Sequence, residues 1–269
     1  MLSETIAHLP TDLALGLVGG MLDKAGSLSD LIHGPTSGAD IARGLLRWVH
    51  FVAGVGWIGL LYFFNLVNVP TMAALDGPTK NKVIPELLPR ALWYFRWGAV
   101  VTVLAGMTYY AMYIVASDAR AATLSPWPAF FHWLVLALVF YVPIYFFYTL
   151  PTLTKDGRVL GVAVAVVVIA MALLMVKMIG GMGANGHYMG NKTLSIAVGG
   201  GLGMIMMLNV WGVIWRCQKQ IIAGIVSGNP APPELARKAF LASRTNFWLS
   251  FPMLFFMGTS HGDWVIFGQ

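Results

Sequence analysis

Three observations predict that this chain is an all-α membrane bundle. Of its 269 residues, 58 % are apolar and only 10 % charged, and the mean hydropathy of +0.72 lies outside the range of soluble domains. Charge-free stretches long enough to cross a bilayer, roughly 20 residues each, recur along the chain. Basic and turn-forming residues collect between them, where a polytopic protein places its loops.

Six spans are expected in order. The first, 48–69, lies within RWVHFVAGVGWIGLLYFFNLVNVP. The second covers 97–117. The third stretch, 121–154, is too long for one crossing, and Pro126, Pro128 and Pro151 trim it to about 127–150. Spans four to six cover 159–176, 193–215 and 245–262. Pro143 and Pro252 fall inside spans three and six and are expected to kink them. Residues 12–22, DLALGLVGGML, are too short and glycine-broken to cross and read as an interfacial helix. The first twenty residues hold Glu4 and Asp12 and no Lys or Arg, so no cleaved leader is expected. The domain reading is an external arm over 1–43 and a transmembrane helical domain over 44–269. Within the latter, 228–238, GNPAPPELARK, is a cytoplasmic connector.

The 17 basic residues fix an orientation. Lys80, Lys82, Arg90, Arg96, Lys155, Arg158, Arg216, Lys219, Arg237, Lys238 and Arg244 fall on one side; Lys24, Arg43, Arg47, Arg120, Lys177 and Lys192 fall on the other. The richer side is cytoplasmic, which leaves both termini outside, in the periplasm of a bacterial cell. The net charge of +6 is thereby used in orientation, and no nucleic-acid partner is expected. The lone Cys217 excludes an intrachain disulfide and a CxxCH attachment for c-type haem.

With that orientation no histidine is cytoplasmic. His50 lies inside the outer end of span one, His132 inside that of span three, His261 at the outer end of span six, and His187 in the loop GGMGANGHYMGN. His8 and His33 belong to the external arm. An imidazole in hydrocarbon needs a partner. One reading is that His50 and His132 hydrogen-bond neighbouring helices; the other is that they are axial ligands of a b-type haem. His50, Gly54, Trp57 and Leu61 share a helical face, where Gly54 would leave room for a ring plane and Trp57 would stack on its edge. Arg43, Arg47 and Lys177 at the outer boundary either pair with haem propionates or snorkel to the interface. The glycines of span one also suit ordinary close packing, and Met253 and Met257 read as packing among 15 methionines.

Other patterns carry less. Gly181, Gly183 and Gly186 match GxGxxG, but after a membrane span rather than a strand. Gly199, Gly200, Gly201 and Gly203 read as a close-packing surface, with Gly199 and Gly203 as a GxxxG pair. Ser260, His261 and Asp263 are adjacent in sequence, which does not make a nucleophilic triad.

The stretches WVHFVAGVGWIGLLYFFNLVNVP, LPRALWYFRWGA and FFMGTSHGDW give the chain a resemblance to the membrane domain of the bacterial urate oxidase (urate hydroxylase) family over most of 40–269. The span beginning H-x6-W is similar, more distantly, to small haem-binding membrane proteins. The family resemblance implies a multi-pass protein of the bacterial inner membrane that oxidises urate to 5-hydroxyisourate and passes electrons to cytochrome c. In fused relatives a cytochrome c domain follows the bundle; here no CxxCH occurs, so a separate periplasmic cytochrome c or a larger membrane complex would accept the electrons. On this reading His50 and His132 bind haem b with Trp57, Gly54 and Arg47 around it, His187 and His261 are candidate catalytic bases, and Lys177, Lys192 or Arg47 orients the urate anion. Two alternatives stand beside it. One is a non-catalytic anchor or electron-transfer subunit; the other is an outward-facing copper or other metal site built on the same histidines.

Overall fold

The computed structural model describes residues 15–16, 19–20, 34, 37–182, 189–261 and 265–267. All regular structure among the described residues is helical. The chain divides into two compact units, Met1–Ala42 and Arg43–Gln269. In the first, Leu15, Gly16, Gly19 and Gly20 are helical and exposed; the rest of the expected interfacial segment, with His8, Asp12, Asp23, Asp30 and His33, lies outside the described residues.

Five helices are long and apolar enough to cross a membrane: α1 (Gly38–Ala74), α2 (Gly77–Ala121), α3 (Trp127–Phe147), α4 (Gly157–Gly180) and α5 (Asn191–Val226). A further helix, α6 (Pro233–Thr259), contains most of the sixth expected span. Its length suffices, but Arg244 and Asn246 interrupt it, and the apolar stretch that follows them is short of a full crossing. A single helical turn, Pro151–Thr154, precedes α4.

The helix starts follow from local chemistry. Asp76 accepts from the Thr79 amide at 2.9 Å and the Thr79 hydroxyl at 2.7 Å, capping α2 with Pro78 in the first turn. These bonds favour its ionised form and hold its carboxyl below the usual aspartate value. Asp156 caps α4 through the Arg158 amide at 2.8 Å. Helix α6 opens on Pro233, where a missing N–H costs nothing. Helices α3 and α6 continue through Pro143 and Pro252.

Helix α5 is the centre of the unit, packing against α2, α3, α4 and α6. Two-thirds of its most apolar window is buried, against 28 % for α3 and α4, whose outer faces remain for lipid. Three consecutive glycines make this possible. A Cβ on Gly199 would meet the Met253 carbonyl of α6 at 3.2 Å; on Gly200, the Trp133 ring of α3 at 3.3 Å; on Gly201, Met175 of α4 at 2.9 Å. Residues one apart on a helix point about 100° apart, so each missing side chain admits a different neighbour. Gly203 meets nothing within 4 Å. The expected GxxxG pair is therefore replaced by a run of three.

Three helices contain π-type segments: Phe63–Asn68 in α1, Tyr110–Val115 in α2 and Val210–Ile214 in α5. Such segments insert a residue into the helical ladder and often accompany functional positions. Each here adjoins buried polar groups: Asn65, Tyr110 and Asn209 respectively.

Candidate functional site

The face of α1 predicted from periodicity is the face that packs on α2. His50, Gly54 and Trp57 meet a matching series of α2 residues at near-helical spacing, Gly106, Thr102 and Gly98. His50 Nδ1–H donates to the Thr102 carbonyl at 2.8 Å. Its ring occupies the space left by Gly106, where a Cβ would come within 2.8 Å of both Cε1 and Nδ1. A Cβ on Gly54 would lie 3.5 Å from the Thr102 methyl, and one on Gly98 would lie 3.4 Å from Trp57 Cβ. Trp57 and Leu61 are almost wholly buried, and the Trp57 indole Nε1 has no hydrogen-bond partner.

Toward the Arg43 end of α1 the same interface turns cationic and aromatic. The Arg43 guanidinium carbon lies 5.0 Å from the Tyr113 ring centroid and that of Arg47 lies 6.0 Å from Tyr109. The two tyrosine rings are 5.4 Å apart. Next to them on α2, Tyr110 points the other way, against Trp133 of α3, with its hydroxyl donating to the Thr193 carbonyl of α5.

His132 is half-buried on α3 and donates Nδ1–H to the Pro128 carbonyl of its own helix at 2.7 Å. No hydrogen bond or ring contact joins His132 to His50 among the described residues: the partners of His50 lie on α1 and α2, and that of His132 on α3. The His50 bond is the contact with a neighbouring helix that the first reading expects, while that of His132 stays within its own helix. A carbonyl holding Nδ1–H fixes the tautomer and leaves Nε2 as the free donor atom, the arrangement ligating histidines adopt. His261 is exposed at the end of α6, its Nδ1 2.7 Å from Ser260 Oγ. His187 and Asp263 lie outside the described residues. Met257 packs against Gly199 and Gly200, as expected of a core methionine. Among the described residues no group of three or more His, Cys, Asp or Glu side chains is placed to hold a metal ion.

The structure adds residues that the sequence did not single out. Asp118, near the carboxyl end of α2, accepts from the Gly190 amide at 2.9 Å and the Thr193 hydroxyl at 2.6 Å. A carboxylate from another helix thus caps α5, where the helix dipole favours negative charge. Asn191 donates to the Thr259 carbonyl at 3.1 Å and accepts from the Ile266 and Phe267 amides, each at 3.0 Å. It ties the chain beyond α6 back to α5, with Phe267 stacked on Phe256. No sequence signal marks Asp118 or Asn191, because their partners are remote in the chain.

Toward the other end of the bundle, buried amides on α1, α5 and α6 make hydrogen bonds between helices. Asn246 donates to the Met206 carbonyl at 2.8 Å, which orients its Oδ1 to accept from Asn209 Nδ2 at 2.9 Å. Asn209 also donates to the Tyr148 hydroxyl at 3.1 Å. On α1, Asn65 donates to the Leu61 carbonyl and to Ser243 Oγ of α6. The Oδ1 atoms of Asn65, Asn68 and Asn209 are buried without a partner.

A family model described as urate oxidase N-terminal matches residues 37–268. Searches of curated proteins and of solved structures gave no match.

Proposed function

The chain belongs to the urate oxidase N-terminal family, and from that premise we propose that it is the membrane part of a urate-oxidising, cytochrome c-linked oxidoreductase. The observation that carries this beyond family membership is the setting of His50. Its Nδ1 is held by the Thr102 carbonyl, its Nε2 has no hydrogen-bond partner among the described residues, and Arg47 stands one turn away on the same helix.

In this reading α6 completes a six-span bundle in the bacterial inner membrane, with both termini periplasmic, as the distribution of basic residues favours. Urate takes up one water and gives up two protons and two electrons to become 5-hydroxyisourate, and cytochrome c accepts the electrons one at a time. His50 and His132 would hold haem b through Nε2, and the haem would supply a one-electron path between substrate and acceptor. The protein's own contributions are positional. Gly106 and Thr102 fix the His50 ring, Trp57 and Gly54 seat α1 on α2, and Arg47 attracts the anionic substrate. His261, exposed and with Nδ1 engaged by Ser260, has Nε2 available to accept a substrate proton; His187 is a second candidate on sequence grounds.

The test is a reduced-minus-oxidised optical spectrum of the protein purified in mild detergent, beside His50→Ala and His132→Ala, followed by urate-dependent cytochrome c reduction. A b-type spectrum lost in both variants, with turnover in the parent, is expected. A well-folded parent without haem absorbance overturns the haem assignment. Haem without urate turnover, in the presence of cytochrome c, overturns the substrate assignment.

A further inference from the structure

We propose that Arg43, Arg47, Tyr109 and Tyr113 form the docking site for a planar organic anion, at the end of the α1–α2 interface beside His50. The inference rests on the reading above for the identity of that anion, urate, but the site itself is argued from geometry.

Arg43 and Arg47 are one helical turn apart on α1, and Tyr113 and Tyr109 are one turn apart on α2, so two guanidiniums face two rings across one interface. The rings are 5.4 Å apart and tilted by 38°. Both arginines are exposed and both tyrosines half-buried, so the guanidiniums are reachable from outside the bundle while the floor of the set is aromatic. A planar anion with carbonyl oxygens needs three things from a site: a flat surface to stack on, paired N–H donors for adjacent oxygens, and positive charge. Tyrosine rings supply the first. Guanidiniums supply the other two, and contact with a ring uses their face while leaving in-plane donors for an acceptor.

Lysine offers a mobile point charge without the planar fork. This separates Arg47 from Lys177 and Lys192, the other candidate cations for the anion. The position also suits a redox reaction. His50 follows Arg47 by three residues and therefore lies one turn along the same face, so an anion on this set sits next to the imidazole assigned to the haem.

The test is equilibrium binding, measured under anaerobic conditions so that no turnover intrudes. Full-length protein in detergent is titrated with urate and, separately, with a planar aromatic carboxylate such as benzoate. Variants are Arg43→Gln, Arg47→Gln, their double, Arg47→Lys, Tyr113→Ala and Tyr113→Phe, with Arg120→Gln as a charge-matched control and thermal melts to verify folding. Loss of one charge-assisted contact is expected to raise the urate Kd by about 10- to 100-fold, and the double variant more. Arg47→Lys recovers only part of the loss, Tyr113→Phe retains binding better than Tyr113→Ala, and Arg120→Gln leaves the Kd unchanged. If folded double variant binds urate as tightly as the parent, the site is overturned while the urate reading stands. If urate does not bind but the aromatic carboxylate does, with the same dependence on Arg43 and Arg47, the site stands and the urate reading falls. A folded parent that binds neither anion overturns the site.

Discussion

His50 fits against Gly106 so closely that a single added methyl group would come within 2.8 Å of the imidazole. The hydrogen bond from Nδ1 to the Thr102 carbonyl, one turn away on α2, depends on that fit. The atom that would clash is in a ring whose Nδ1 is already bonded, so relief requires either rotating the ring off Thr102 or separating α1 from α2.

Gly106→Ala is therefore expected to destabilise the protein by roughly 1–3 kcal/mol, the usual cost of overpacking, despite the better helix propensity of alanine. It should also weaken any haem absorbance that depends on His50. A melt in detergent and an optical spectrum of the same sample check both; an unchanged melt would show that the interface yields freely.

The glycine run in α5 predicts a graded series. Gly199→Ala meets backbone atoms of α6 at 3.2–3.3 Å and should cost about 1–3 kcal/mol. Gly201→Ala meets the thioether ends of Met171 and Met175, which can move, so its cost should roughly cancel against the gain in helix propensity of about 1 kcal/mol. Gly203→Ala meets nothing and should be neutral or stabilising. Melting temperatures should rank Gly203→Ala highest and Gly199→Ala lowest.

Asp118→Ala removes a charged cap from α5, two hydrogen bonds to the carboxylate, and should destabilise by about 1.5–3 kcal/mol. Asp118→Asn keeps an acceptor without the charge and should lose less. Amide exchange at residues 190–193, followed by mass spectrometry, should speed up in both, with the alanine variant faster.

The buried amides predict an asymmetry. Asn246→Ala leaves one Asn209 N–H without an acceptor beside the already unpaired Asn209 Oδ1, while the Met206 carbonyl keeps the Val210 amide and Asn209 Nδ2 keeps the Tyr148 hydroxyl, for about 1–2 kcal/mol. Asn209→Ala removes two bonds but also deletes the unpaired Oδ1, so it should cost less. Unfolding titrations in mixed micelles compare the two directly; a larger loss for Asn209→Ala would mean that Oδ1 has a partner in the membrane, such as an internal water.

The sequence by itself determined where the apolar cores of the five long helices lie, since apolar runs and prolines act within a few residues. It also determined that His50, Gly54, Trp57 and Leu61 share a face, because 3.6 residues per turn is a local rule. The tertiary structure alone decided what answers that face. The space for the His50 ring comes from Gly106 on α2, Gly54 faces Thr102 of that same helix, and the cap of α5 comes from Asp118, 72 residues before Gly190. The same holds for the glycines of α5: their spacing announces close approach, but three different helices take up the three vacated positions. Periodicity is written along one helix, whereas the choice of neighbour depends on the shapes of all the helices at once, and no stretch of sequence shorter than the whole bundle contains it.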